Sequence, residues 1–182
     1  MKTKILIIIF FLIAISTKSQ YISFDELIAL QKKDLTEIND FLTIRGWDFS
    51  NSEEATETTL NKAIWAFGRT EWEEGKAQAW FYLFAREGNE NRIIYQIHNR
   101  INYNKIFARI KTLGMKKVKS VILNNTIYSD YEGKNYVVRI LQSSEENESV
   151  TSYQFQIFTK EDYLTILLNE IIDKQNSETE NQ

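Results

Sequence analysis

The sequence predicts an α+β protein: tandem helix–β-meander units form an antiparallel sheet with helices packed on one face, and a further helix closes the C-terminus. Two observations favour this fold class. Helical segments end at Gly46 and at Gly114, and each glycine is followed by strand-like alternation broken by polar turns. The same order therefore occurs twice, and meanders of this kind pair into one sheet with helices on one face. We expect a single domain over residues 20–175, with similar halves at about 22–98 and 102–158.

The first half opens with two capping signals. Ser23 with Glu26, and Asp34 with Glu37, have the spacing of a capping box, in which each side chain bonds the backbone N–H of the other residue. Two short helices or one kinked helix both fit this spacing. Four strands are then expected, over Trp47–Phe49, Ala63–Phe67, Ala79–Arg86 and Arg92–His98.

The second half repeats the order of helix, glycine and strands. A helix over Tyr103–Leu113 ends before Gly114. Strands are expected over Val118–Leu123, Thr126–Tyr131, Tyr136–Leu141 and Ser152–Phe158. A closing helix over residues 159–174 has apolar residues at helical spacing. The polar residues 176–182 are expected to form a flexible tail.

The first 19 residues have the pattern of a secretory signal peptide. Two lysines precede an unbroken apolar run over Ile5–Ile15, and Thr17 and Ser19 supply small residues at the −3 and −1 positions of a cut. The alternative is an uncleaved anchor, but 11 apolar residues are fewer than the roughly 20 that span hydrocarbon. We therefore expect export to the periplasm or the extracellular medium, with Gln20 as the mature N-terminus. Contact with the membrane is expected only during export.

Composition narrows the possible functions. The chain has 22 Lys+Arg against 25 Asp+Glu, one His and no Cys. Loss of the first 19 residues leaves 19 basic and 25 acidic residues, a net charge of −6, so nucleic-acid binding through clustered Lys and Arg is not expected. The absence of cysteine excludes disulfides, thiolate zinc sites and thiol nucleophiles, and a single histidine excludes sites that need several imidazoles.

No catalytic or cofactor motif is recognisable. The six glycines are isolated, so the sequence has no glycine-rich phosphate loop, and no serine lies in a GxSxG elbow. His98 has no second ligand at metal spacing. We expect no catalytic residue, no metal and no cofactor. The alternative is a carboxylate-based hydrolase, for which Glu71, Glu73 and Glu74 around Trp72 form the one cluster that could serve.

Strand alternation predicts a binding face on the side of the sheet away from the helices. Alternate strand residues point to opposite faces, so if Ile64 is buried against the helices, Trp65 and Phe67 face outward. Trp47 and Trp80 are expected in the core. The predicted binding residues are Trp65, Phe67, Phe81, Gln96, Tyr128, Arg139, Gln154 and Gln156. The alternative is that the closing helix or the polar loops cover this face, which would make these residues part of the core.

The combined expectation is an exported, non-enzymatic binding protein. Aromatic and arginine side chains are enriched at protein interfaces, so the expected partner is another protein in the envelope or outside the cell. This chain would then act as an inhibitor, an immunity protein or an assembly factor. The alternative is a small-molecule or glycan binder with a pocket between the two halves.

Overall fold

The protein has an α+β fold built on one antiparallel sheet. A computed structural model describes residues 21–56, 59–70, 76–85, 90–144 and 151–179, and in these ranges it contains four helices and eight strands. The helices are α1 (Phe24–Leu30), α2 (Leu35–Thr43), α3 (Arg100–Thr112) and α4 (Lys160–Thr179). The strands are β1 (Trp47–Glu53), β2 (Asn61–Phe67), β3 (Ala79–Ala85), β4 (Arg92–Ile97), β5 (Lys116–Leu123), β6 (Thr126–Glu132), β7 (Tyr136–Ser144) and β8 (Thr151–Thr159).

The sheet consists of two four-stranded meanders joined along one edge. Its strand order is β1-β2-β3-β4-β8-β7-β6-β5, so the last strands of the two halves pair with each other and β1 and β5 form the two edges. The junction is antiparallel and places Tyr95 opposite Phe155. The order of helix and meander thus occurs twice, followed by a C-terminal helix, which confirms the predicted fold class.

Local signals in the sequence determine where the helices begin and end. Both capping boxes are formed, and α1 and α2 are separate helices because the N-cap Asp34 bonds the backbone N–H of Glu37 at 2.8 Å and starts a new helix. Gly46 and Gly114 follow α2 and α3 with φ of +81° and +70°, a backbone conformation that side chains with a Cβ rarely adopt.

The main core lies between the sheet and α1, α2 and α3, and it includes three of the predicted binding residues. Trp65, Phe67 and Phe81 are buried on this helix-facing side, so their predicted outward orientation is wrong. The indole Nε1 of Trp65 donates a hydrogen bond to Asn39 of α2 at 3.2 Å, and its ring packs edge-on against Phe81. Every residue from position 63 to position 67 is apolar, so alternation could not determine the phase of β2.

Helix α4 packs on the opposite face of the sheet. Tyr163 forms a small buried cluster with Val137 of β7 and Phe158 of β8, and Ile166 and Leu167 pack against it. The helix extends to Thr179, beyond the predicted end at residue 174 and into the predicted tail. The alternative noted from sequence, a closing helix that covers part of this face, is therefore realised over the second half of the sheet.

Some expectations fall on residues outside the described ranges. They are the signal peptide at residues 1–19, the carboxylates around Trp72 and the end of the tail at 180–182. Within the described ranges, none of the four helices has both the length and the apolar composition that a membrane span requires.

Candidate binding face

The side of the sheet away from α1–α3, here called the outer face, is organised in rows that run across the strands. Neighbouring strands pair in register, so side chains on one face stand beside each other from strand to strand. One row consists of Trp80, Gln96, Gln154, Leu141 and Tyr128, and the next consists of Ile64, Tyr82, Ile94, Gln156 and Arg139. Each row therefore crosses the junction between the two halves.

In the second half, a buried ionic network fixes α4 to this face. Arg139 donates from two nitrogens to Asp130 at 2.9 and 3.1 Å, and the hydroxyl of Tyr163 donates to the same carboxylate at 2.6 Å. Glu170 of α4 accepts from Arg139 at 2.8 Å and from Lys119 at 2.9 Å. Because the Asp130 side chain is only 1% exposed and that of Arg139 only 11%, these charges interact with each other rather than with solvent.

The pKa shifts in this network all favour the bonded states. Burial disfavours the charged form of Arg139, but its hydrogen bonds to Asp130 and Glu170 outweigh burial and raise its pKa. Burial also opposes ionisation of Glu170, yet hydrogen bonds from Lys119 and Arg139 lower its pKa below the usual value. Burial, with the hydrogen bond to Asp130, raises the pKa of Tyr163 and keeps its hydroxyl a donor. Arg139 therefore lies on the outer face as predicted, with its guanidinium engaged inside the protein.

Over β2, β3, β4 and the adjoining strand β8, the outer face carries a half-buried patch, and none of the described helices covers it. We call this set the outer patch, and it comprises Ile64, Trp80, Tyr82, Ile94, Gln96, Gln154 and Gln156. The rings of Trp80 and Tyr82 stack at 6.3 Å between centroids, and the guanidinium of Arg69 lies 5.6 Å from the Trp80 ring. Gln156 donates to Gln154 at 2.8 Å. The patch thus combines stacked aromatic rings with a band of amides.

Sequence reasoning missed the aromatic part of this patch. The prediction of Trp80 in the core is wrong, and alternation does not distinguish Tyr82 from its neighbours, because Ala79–Ala85 is apolar on both faces. The phenolic hydroxyl of Tyr82 is the one local signal that Tyr82 faces outward, since a half-exposed Tyr keeps its polar end in water. Burial raises the pKa of Tyr82 above its ordinary value. Trp47, by contrast, lies in the core as expected.

A cleft of about 640 Å³ also lies between the two halves, at the end of the sheet near the start of α4. Arg92 of β4 and Asp162 of α4 form a two-point ion pair at 2.9 and 2.6 Å in its wall. The remaining lining residues are Lys32, Leu60, Phe84, Glu90, Asn135, Tyr136, Thr159, Glu161 and Thr165. The lining is predominantly polar and carries charges of both signs.

The predicted site residues thus separate into three groups. Trp65, Phe67 and Phe81 belong to the core; Gln96, Gln154 and Gln156 belong to the outer patch; Tyr128 and Arg139 lie on the outer face of the second half. Within the described ranges, no three His, Asp or Glu side chains are grouped so that they could hold a metal ion. Comparison with protein-family models, curated proteins and solved structures finds no significant match to this chain.

Proposed function

We propose that this is an exported, non-enzymatic protein that binds another protein through the outer patch. The observation that carries the proposal is the stacked pair Trp80 and Tyr82, half-buried on a sheet face that α4 leaves open in the described part of the chain. Large rings at the centre of a patch are the side chains that most often dominate protein–protein binding energy.

The surroundings of the two rings support a protein partner. Ile64 and Ile94 extend the apolar area on either side of Tyr82, while Gln96 lies beside Trp80 and Gln154 lies beyond Gln96, where both supply amide donors and acceptors. An apolar centre with a polar rim is typical of interfaces between proteins. The patch is also an open sheet surface, whereas small molecules are usually bound in concave sites that bury most of the ligand.

Export rests on the N-terminal sequence pattern. A basic start, the apolar run Ile5–Ile15 and the small residues before Gln20 support cleavage and release. The partner is then expected in the envelope or outside the cell, and its binding by this chain would serve inhibition, immunity or assembly. N-terminal sequencing of the exported protein tests this step, because a protein that still begins at Met1 contradicts it.

Affinity capture from the envelope and secreted fractions tests the binding proposal. The bait is the purified protein, compared with Trp80→Ala and with Ile101→Ala. Ile101 is 67% exposed and lies on α3, which packs on the opposite side of the sheet from the outer patch. We expect one stoichiometric partner that is retained by the Ile101→Ala bait and lost by the Trp80→Ala bait. Equal capture by both variants, each with a wild-type circular dichroism spectrum, would contradict the proposal.

A second candidate function is supported by the cleft between the halves. Its volume of about 640 Å³ falls in the range of small-molecule sites, and its mixed charges suit a polar ligand such as a glycan or a zwitterion. A thermal-shift screen tests this function, because a ligand at 100 times its dissociation constant adds about 2.7 kcal/mol to the free energy of unfolding. If a ligand found in the screen binds the Asn135→Ala variant as tightly as it binds the wild type, that ligand does not occupy this cleft.

A further inference from the structure

The edge of the sheet formed by β5 carries a concentration of exposed apolar side chains. Eight of the thirteen large apolar side chains exposed in the described part of the chain lie on β5, on the adjoining end of β6 or on α4. They are Val118, Val121, Ile122, Leu123, Ile127, Leu164, Leu168 and Ile172, and we call them the β5 corner. Monomeric proteins rarely expose a contiguous apolar area of more than a few hundred Å².

Side chains on both faces of β5 contribute to the β5 corner. Val121 and Leu123 point to the outer face, where α4 packs, whereas Ile122 and its β6 neighbour Ile127 point to the opposite face. All eight residues of β5 are exposed, and the strand bonds on one side only, to β6, within the described ranges. Leu164, Leu168 and Ile172 recur every four residues and form a stripe along α4. A groove of about 380 Å³ joins the two elements, with Val118 on one wall and Leu164 on the other. A partner at the β5 edge would therefore meet both free backbone groups and apolar side chains.

We propose that β5 pairs antiparallel with β5 of a second copy of this chain, so that the protein is a two-fold symmetric dimer with one continuous sheet. A two-fold axis at Val121 places this residue opposite its own copy and keeps the outer faces of both sheets on the same side. The α4 stripes of the two copies then flank the seam on one face. The proposal does not depend on the outer patch or on its partner.

Three features of the edge favour a second copy over other occupants. In this register Lys119 lies opposite Leu123 of the other copy, so no lysine of β5 faces a lysine and the edge is compatible with itself. The two-residue turn at Asn124 and Asn125, both with positive φ, closes the hairpin tightly. The strand is irregular between Lys117 and Lys119 but pairs regularly from Lys119 to Leu123, the stretch centred on Val121. The molecule also joins its own halves by antiparallel pairing of β4 with β8.

Pairing at β5 covers apolar side chains on both faces of the seam. Val121 and Leu123 are 45% and 57% exposed on the outer face, and Ile122 is 75% exposed on the opposite face. The paired backbones add hydrogen bonds that the exposed edge otherwise makes with water. An edge strand left open would instead be a site for uncontrolled pairing, against which lysines protect only its first half.

Sedimentation equilibrium on the purified protein tests the dimer. We expect a monomer–dimer equilibrium, and we expect Val121→Lys to raise the dimer dissociation constant by at least about tenfold, because it opposes two charges at the symmetry axis. Ile101→Lys, a matched change of an exposed apolar residue on α3, is expected to leave the constant unchanged. A wild type that remains monomeric at its highest soluble concentration, or an unweakened Val121→Lys dimer, would overturn the proposal.

A cross-link tests the register without depending on the stability of the lysine variant. The chain contains no cysteine, so Val121→Cys introduces a single thiol. Paired strands hold opposite Cα atoms about 4.5–5.5 Å apart, within the range that a disulfide spans. Oxidation is expected to yield a covalent dimer from Val121→Cys and none from Ile101→Cys at the same concentration. If Val121→Cys fails to form a covalent dimer on oxidation, self-pairing of β5 is contradicted.

Discussion

The ionic network beneath α4 predicts an unusually large loss of stability when Arg139 of β7 is truncated. Arg139→Ala removes both hydrogen bonds that the guanidinium donates to Asp130 and the bond it donates to Glu170. Asp130 is 1% exposed and cannot regain water, so it is left as a buried carboxylate with Tyr163 as its remaining donor. Removal of one partner from a buried ion pair typically costs about 3–5 kcal/mol, and we expect a loss in this range.

Urea unfolding followed by circular dichroism measures this loss. The matched control is Arg109→Ala, because the ion pair of Arg109 with Asp25 is exposed on both sides, at 43% and 62%, and its loss should cost less than about 1 kcal/mol. The double variant Arg139→Ala with Asp130→Ala should cost less than the sum of the single variants, by up to about 3 kcal/mol. If Arg139→Ala costs no more than Arg109→Ala, the network does not hold α4 in the way described.

Three further predictions concern the core, a helix end and the pH dependence of stability. Trp65→Ala should lower the free energy of unfolding by about 3–5 kcal/mol in urea unfolding, because Trp65 is fully buried between α2 and the sheet. Gly114→Ala should cost about 1–2 kcal/mol in the same assay, although nothing lies within 4 Å of an added Cβ, because φ is +70° there. Glu170 has a folded pKa below its usual value of 4.5, so the unfolded state takes up the proton first and the stabilisation by Glu170 is lost as pH falls below about 4.5. In melts over this pH range, Glu170→Gln should show a weaker acid dependence than the wild type.

The elements that the sequence predicted well are those with strong local signals. Ser23 and Asp34 start helices because their side chains bond the first free backbone N–H groups, and Gly46 and Gly114 end helices because they adopt positive φ. The eight strands follow from segments of apolar residues between polar turns. The strand predicted over Trp47–Phe49 continues to Glu53, and this polar extension escaped prediction because an edge strand exposed on both faces has no alternation to detect.

The two errors that matter for the binding face have one physical origin. In β2 and β3 both faces are apolar, so alternation gives two equivalent phases, and only packing against α2 assigns Trp65 inward and Trp80 outward. The position of α4 on the outer face depends on contacts between residues far apart in sequence, such as Arg139 with Glu170. Neither feature is encoded in a local pattern, and both determine which part of the outer face remains open.

The affinity of the captured partner for variants of the outer patch, measured by titration calorimetry, tests whether the outer patch is the binding surface. We expect Trp80→Ala to weaken binding by about 30-fold or more, since truncation of a central aromatic residue costs about 2 kcal/mol or above. Trp65→Phe, a conservative change in the core behind the same sheet, should leave the affinity within about threefold of the wild type. A partner that binds Trp80→Ala as tightly as the wild type would contradict the assignment of the outer patch as the binding surface.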